Sequence, residues 1–340
     1  MQIIKTLAAG TSAMLLAALV AGCMQMEPPQ EGAKSAGPRL SQLPPPPAPA
    51  SNPITADKVA LGKQLFFDKR ISGSGQNSCE SCHYRNLGWT DAQKLSKKDD
   101  GTMNTRHTPT LYNVAYLKSW YWDGRSATLE AQTMAAWRGQ TGADPAKVAA
   151  LLSTVPGYVS QFQAVFGTAP TPDTIVQALV TYMRTKNSGD SPWDRHEKGV
   201  KDAVSADAKE GFNLFMGKGK CVICHAPPLY SNSEFYNIGL EAKKEKKDPG
   251  RFNVTKMVED TNAFKVPTLR SVAISGPYFH DGSIGTLEEA VRYMANTHNA
   301  DPNKTPILTN AGLSDAEIKK VVAFLTTLTS EEPFVRPSLP

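Results

Sequence analysis

A chain of 340 residues with 40% apolar and 20% charged side chains has the balance of an ordinary globular protein, which excludes a wholly disordered or fibrous one. The formal net charge of +5 is modest. Part of it sits in Lys-rich loops such as residues 241–251, which read as a solvated face, so no nucleic-acid partner is expected.

Residues 1–23 read as an export signal: Lys5 supplies a positive start, an apolar run follows, and small residues precede Cys23. The run is short for a membrane span. The stretch Leu19 to Cys23 resembles the lipobox of bacterial lipoproteins, which implies lipidation of Cys23; an ordinary signal cleaved nearby is the alternative. Residues 24–53 hold nine prolines and no apolar periodicity, so a disordered, polyproline-rich linker outside the fold is expected.

Residues 60–83 end in Cys79, Cys82 and His83. Two cysteines at this spacing can close a redox disulfide, hold half of a zinc ion, or bind a haem through its vinyl groups. A histidine directly after the second cysteine favours the third reading, because thioethers fix the porphyrin edge while the adjacent imidazole reaches the iron. Residues 208–225 repeat the pattern, ending in Cys221, Cys224 and His225. In both units an amphipathic segment closes on a Leu-Phe pair and a Gly-containing turn precedes the motif. Zinc would need the two pairs to act together and leaves both histidines unexplained. Two covalently bound c-type haems are therefore the expected cofactors.

Helix signals dominate the rest. Thr171 and Pro172 mark a helix start with apolar residues at Ile175, Ala178, Leu179 and Tyr182. Thr286 with Glu289, and Ser314 with Glu317, form capping boxes before further apolar faces; the first carries Leu287, Ala290, Val291 and Met294. No strand-like alternation is sustained. The expected fold is mainly α, as two cytochrome c-like haem domains side by side: 54–198 and 199–330, followed by a tail over 331–340.

The stretches LGKQLFFDKRIS, RHTPTLYNVAYLKSWYWDGRSATLEAQ, FKVPTLRSVAISGPYFHDGS and TLEEAVRYM, with the two Cys-x-x-Cys-His motifs, occur in family order over about Ile54 to Leu328. This part of the chain resembles the bacterial dihaem cytochrome c peroxidases and their MauG relatives, which mature the tryptophylquinone of methylamine dehydrogenase. The resemblance implies a peroxide-reactive N-terminal haem and an electron-storing C-terminal haem. It implies that Trp122 relays electrons between them and that Gln132 lies on the distal side of the first. Met294 matches the sixth ligand of the second haem in the peroxidases. The MauG relatives use a tyrosine there; Tyr293 is one residue away, and His298 is the remaining candidate.

Three departures accompany the resemblance. Residues 84–106 contain no histidine to cap the first haem; His107, standing where the family has asparagine, reads as an ordinary buried histidine and less as a cap. That asparagine helps hold calcium in the family, and imidazole is a poor substitute, which leaves carbonyls near Ser275 and Pro277 and the calcium question open. The family's distal glutamate has no counterpart; Gln140 and Asp144 are nearby in sequence but neither matches clearly.

The expected function is a peroxidase in the periplasm of a Gram-negative bacterium, tethered through Cys23. It would reduce hydrogen peroxide to water with electrons from a small cytochrome c or cupredoxin, without reductive activation. A MauG-like oxidase acting on a protein, and a non-catalytic dihaem electron carrier, are the alternatives. The resemblance also implies a homodimer.

Overall fold

The computed structural model describes residues 40–296, 301, 303–331 and 333–340. Cys23, the signal segment, residues 24–39 and His298 lie outside the described residues.

Ten helices in chain order carry the described body: α1 (Ala56–Phe67), α2 (Leu129–Thr141), α3 (Pro145–Leu152), α4 (Pro156–Phe166), α5 (Pro172–Arg184), α6 (Pro192–Glu197), α7 (Ala206–Met216), α8 (Phe252–Thr255), α9 (Leu287–Asn296) and α10 (Asp315–Thr326). Long loops with single 3₁₀ turns connect them, and one antiparallel two-residue pair, β1 (Phe235–Tyr236) and β2 (Phe264–Lys265), is the strand content. The mainly α expectation holds. The helix starts read from sequence are formed: Thr171 caps α5, accepting from the Thr174 amide. Thr286 and Glu289 exchange bonds before α9, and Ser314 with Glu317 closes the box of α10.

The repeat seen in sequence is a repeat of packing. In the first unit α1 crosses α5 at Gly62, where any Cβ would stand 1.9 Å from the Ala178 carbonyl oxygen. In the second, α7 crosses α10 at Gly211, where a Cβ would stand 1.9 Å from the Lys320 carbonyl oxygen. Only glycine lets the two helix backbones approach this closely. The Leu-Phe pairs follow three residues later: Phe66 meets Trp89 and Tyr182 edge-on, and Phe215 meets Tyr230 and Phe324 in the same way. Each crossing thus closes one apolar core, one running from Leu61 to Met183 and the other from Trp193 to Leu328.

Both flanking segments touch the body. From residue 40 the Pro-rich stretch lies against the body. Ser41 is buried, with its hydroxyl 2.7 Å from the Tyr230 hydroxyl and its amide donating to Glu197; its carbonyl accepts from the buried Arg270. At the other end Phe334 packs on Phe67, Arg336 pairs with Glu80, and the Pro340 carbonyl accepts from Arg70. Nor is the 241–251 loop wholly a solvated face. Glu241 is buried, bonded to Lys244 and, at 2.9 Å, to His280.

Candidate dihaem active site

Two cavities lie within the body, one at each Cys-x-x-Cys-His motif. The first, about 680 Å³, is lined by Cys79, Cys82, His83, Trp122, Gln132 and Gln140. The second is a narrower slot of about 210 Å³, lined by Cys221, Cys224, His225 and Met294, with Trp122 again in its wall.

The proximal histidines are built alike. A single 3₁₀ turn over Cys79–Ser81 carries the chain into His83, and another over Cys221–Ile223 carries it into His225. His83 Nδ1 lies 2.8 Å from the Trp89 carbonyl oxygen, and His225 Nδ1 lies 2.9 Å from that of Tyr230. A carbonyl can only accept, so Nδ1 carries the proton in each and Nε2 keeps its lone pair. Burial holds both imidazoles neutral, pushing His83 below its usual value and His225 down to about 4. A neutral imidazole with an oriented, free Nε2 is what an iron ligand requires.

The thiols fit haem attachment better than the other readings. Neither pair closes a disulfide. Burial pushes Cys79 and Cys221 up to about 12 and Cys82 up to about 11, opposite to the lowered values of redox-active pairs. The two pairs also line different cavities, so they cannot converge on one zinc ion.

Trp122 is fixed at both ends of the residue. Its indole Nε1 donates to the His107 carbonyl at 2.8 Å, and its own carbonyl accepts from the Lys265 amide at 2.8 Å.

 The second of these bonds, Lys265 N–H to Trp122 C=O at 2.8 Å, ties β2 to the wall that the two cavities share. His107 is held in the core: its amide donates to the His280 carbonyl at 2.7 Å, and its Nδ1 faces the Gln93 carbonyl at 2.8 Å. These bonds give it the place of a structural histidine bordering the first cavity.

On α2, Gln132, Ala136 and Gln140 recur every four residues, so one stripe of the helix lines the first cavity. The Oε1 of Gln140 is buried without a hydrogen-bond partner among the described residues. Asp144 serves elsewhere, capping α3 by accepting from the Ala146 and Lys147 amides. On α9, Met294 lines the second cavity, whereas the Tyr293 hydroxyl donates to the Ile238 carbonyl at 3.1 Å.

Ser275 and Pro277 flank a cis Gly276–Pro277 bond, and the Ser275 hydroxyl donates to the Val272 carbonyl at 3.2 Å. Among the described residues, the side chains grouped as metal ligands are instead Glu241, His280 and Asp281, and there the Lys244 ammonium already bonds both carboxylates.

The comparisons with known proteins agree with this geometry. The family model for di-haem cytochrome c peroxidase matches residues 56–202. A cytochrome-c peroxidase, IdrP1 of Denitromonas iodatirespirans, is 38% identical, with 89% of this chain and 90% of the relative covered. The methylamine utilization protein MauG of Methylorubrum extorquens is 36% identical over 86% of this chain and 84% of its own. The crystal structure of a MauG-like protein associated with microbial copper homeostasis superposes with a TM-score of 0.81 at 28% identity, covering 85% of this chain and 94% of that one. The chain belongs to the dihaem cytochrome c peroxidase and MauG family. It is an oxidoreductase whose cofactors are haems.

Sequence reasoning placed both motifs, Trp122, Gln132 and Met294 at cavity walls. It missed Lys265, buried in both walls within the quoted FKVPTLR stretch; a lysine flanked by apolar residues was the available signal. Covalent attachment has a direct check. Intact-mass measurement of the denatured protein should find two haem adducts, and Cys79→Ala should weaken or remove the first while leaving the second.

Proposed function

We propose that this chain is a periplasmic peroxidase that reduces hydrogen peroxide to water with electrons from a small cytochrome c or cupredoxin. The observation that carries the reading is the asymmetry of the two cavities. The first is about 680 Å³ and carries Gln132 and Gln140 in its wall besides His83; the second, about 210 Å³, is a narrower slot with Met294 in its wall.

When bound, the haem of the first cavity supplies an open iron position for peroxide, and the haem of the second stores an electron. The chain supplies the rest. His83, oriented by the Trp89 carbonyl, would hold the iron through Nε2. Gln132 and Gln140 offer amide groups along the α2 stripe, and the unpartnered Gln140 oxygen can accept a hydrogen bond from peroxide or from a water beside it. Trp122, fixed in the shared wall, is the aromatic group through which electrons pass from one site to the other. No carboxylate takes the place of the distal glutamate on this stripe. A positioned acid–base group is typically worth ~10²–10⁴ in rate, so slow turnover is expected.

Met294 in the slot, with Tyr293 engaged elsewhere, favours the peroxidase reading over a MauG-like oxidase. Met294→His should lower the potential of the second haem, since a thioether stabilises ferrous iron more than imidazole does. An unchanged potential would make Met294 a packing residue. The whole reading is tested by mixing the holoprotein with a reduced small cytochrome or cupredoxin and peroxide. Two one-electron donor molecules should be oxidised per peroxide consumed; no oxidation of any such donor above the uncatalysed rate would refute it.

Export, lipidation at Cys23 and a homodimer belong to the same proposal. Among the described residues no helix is long and apolar enough to cross a membrane.

A further inference from the structure

Trp122, Lys265 and Pro267 line both cavities, and Lys265 alone among them carries a charge. It is 8% exposed, and its Nζ donates to the Ser119 carbonyl at 2.7 Å. An ammonium has three hydrogens to place, so this bond leaves two. The arginines of the first cavity are neutralised: Arg106 by Asp123 and Asp248, each at 2.7 Å, and Arg125 by Asp123 at 3.0 Å. Lys265 has no carboxylate at ion-pair distance among the described residues. The opposing charge that acts on it, Asp123, is already shared by those two arginines. Burial accordingly pushes the ammonium down to about 8.

A buried cation with spare donors facing a cavity calls for an anion from that cavity. Haem brings two carboxylates. Ser119 and Asp123, the groups that hold and face the ammonium, both belong to the first unit, which directs it to the first haem. We propose that Lys265 is a positioning residue that receives a propionate of the first haem and raises that haem's potential. It thereby sets the direction of electron flow across Trp122. The assignment rests on the reading that both cavities hold haem. Its physical basis is that a nearby positive charge disfavours the ferric state relative to the ferrous one.

The test is spectropotentiometric titration of the holoprotein, of Lys265→Met and of Lys265→Arg, each with haem content measured alongside. Lys265→Met should shift the midpoint of the first haem to lower potential while the second stays near its parent value. Lys265→Arg should return the first midpoint towards the parent, because it restores the charge. If Lys265→Met is not recovered with two haems, Lys265→Gln carries the same expectation. An unchanged first midpoint in the neutral variants, or equal shifts in the neutral and Arg variants, would overturn the assignment while leaving the peroxidase reading in place. A parent protein with fewer than two haems would instead defeat the dihaem reading on which the assignment stands.

Discussion

Replacing His83 by alanine is expected to lower peroxide turnover by more than ~10², a larger loss than the 10–100-fold typical when only a ligand's supporting partner is removed. The size follows from the geometry. The Trp89 carbonyl fixes one tautomer and leaves Nε2 as the donor into the cavity. Alanine removes that donor while both thiols remain to hold the porphyrin edge. Haem content should therefore fall little while the spectrum of the first haem changes, and added imidazole should restore part of the activity. Stopped-flow peroxide consumption and haem content, measured on the same preparation, check this. Turnover within a few-fold of the parent would mean that the first cavity is not where peroxide reacts.

The second expected result concerns the resting state. The fully oxidised protein should show a high-spin ferric haem and should react with one equivalent of peroxide before any reductant is added. Residues 84–106 supply no histidine. His107 is committed through its amide to the His280 carbonyl and through Nδ1 to the Gln93 carbonyl, so swinging its ring onto an iron would break the buried Nδ1 bond. Leaving buried groups unpaired costs about 1–3 kcal/mol each, which weighs against a cap that must form and release in each activation cycle. Electron paramagnetic resonance of the parent and of His107→Ala decides the matter. The high-spin signal should be present in both. Two low-spin haems in the parent, with a high-spin signal appearing only in His107→Ala, would make His107 the cap.

What could be read from the sequence shares one property: it is local. The haem motifs are runs of five residues, and the caps of α5, α9 and α10 lie within three residues of their partners. Such features need no knowledge of the fold. The glycine crossings were half visible, since Gly62 and Gly211 stand at matching places in the two units, but their partners Ala178 and Lys320 lie more than a hundred residues away. Ser41 was read as part of a free linker because polyproline composition carries no sign of the pocket formed by Glu197, Tyr230 and Arg270. The basic loop was read as solvated because lysine spacing does not reveal that Glu241 turns inward to His280. Lys265 escaped for the same reason: its neighbours Ser119 and Asp123 are remote in the chain.

The segment around Phe334 bears on the timing of assembly. Phe334 covers Phe67 and is flanked by Lys63 and Arg85, while Arg336 grips Glu80, which stands between the two haem cysteines of the first motif. These residues are synthesised after both motifs. In the export proposed above, the first unit would therefore emerge with its Cys79–Cys82 edge still bare, before the segment that reaches Glu80 has been made. The proposed haem attachment at Cys79 and Cys82 would then precede the closing of that edge by the segment around Phe334 and Arg336.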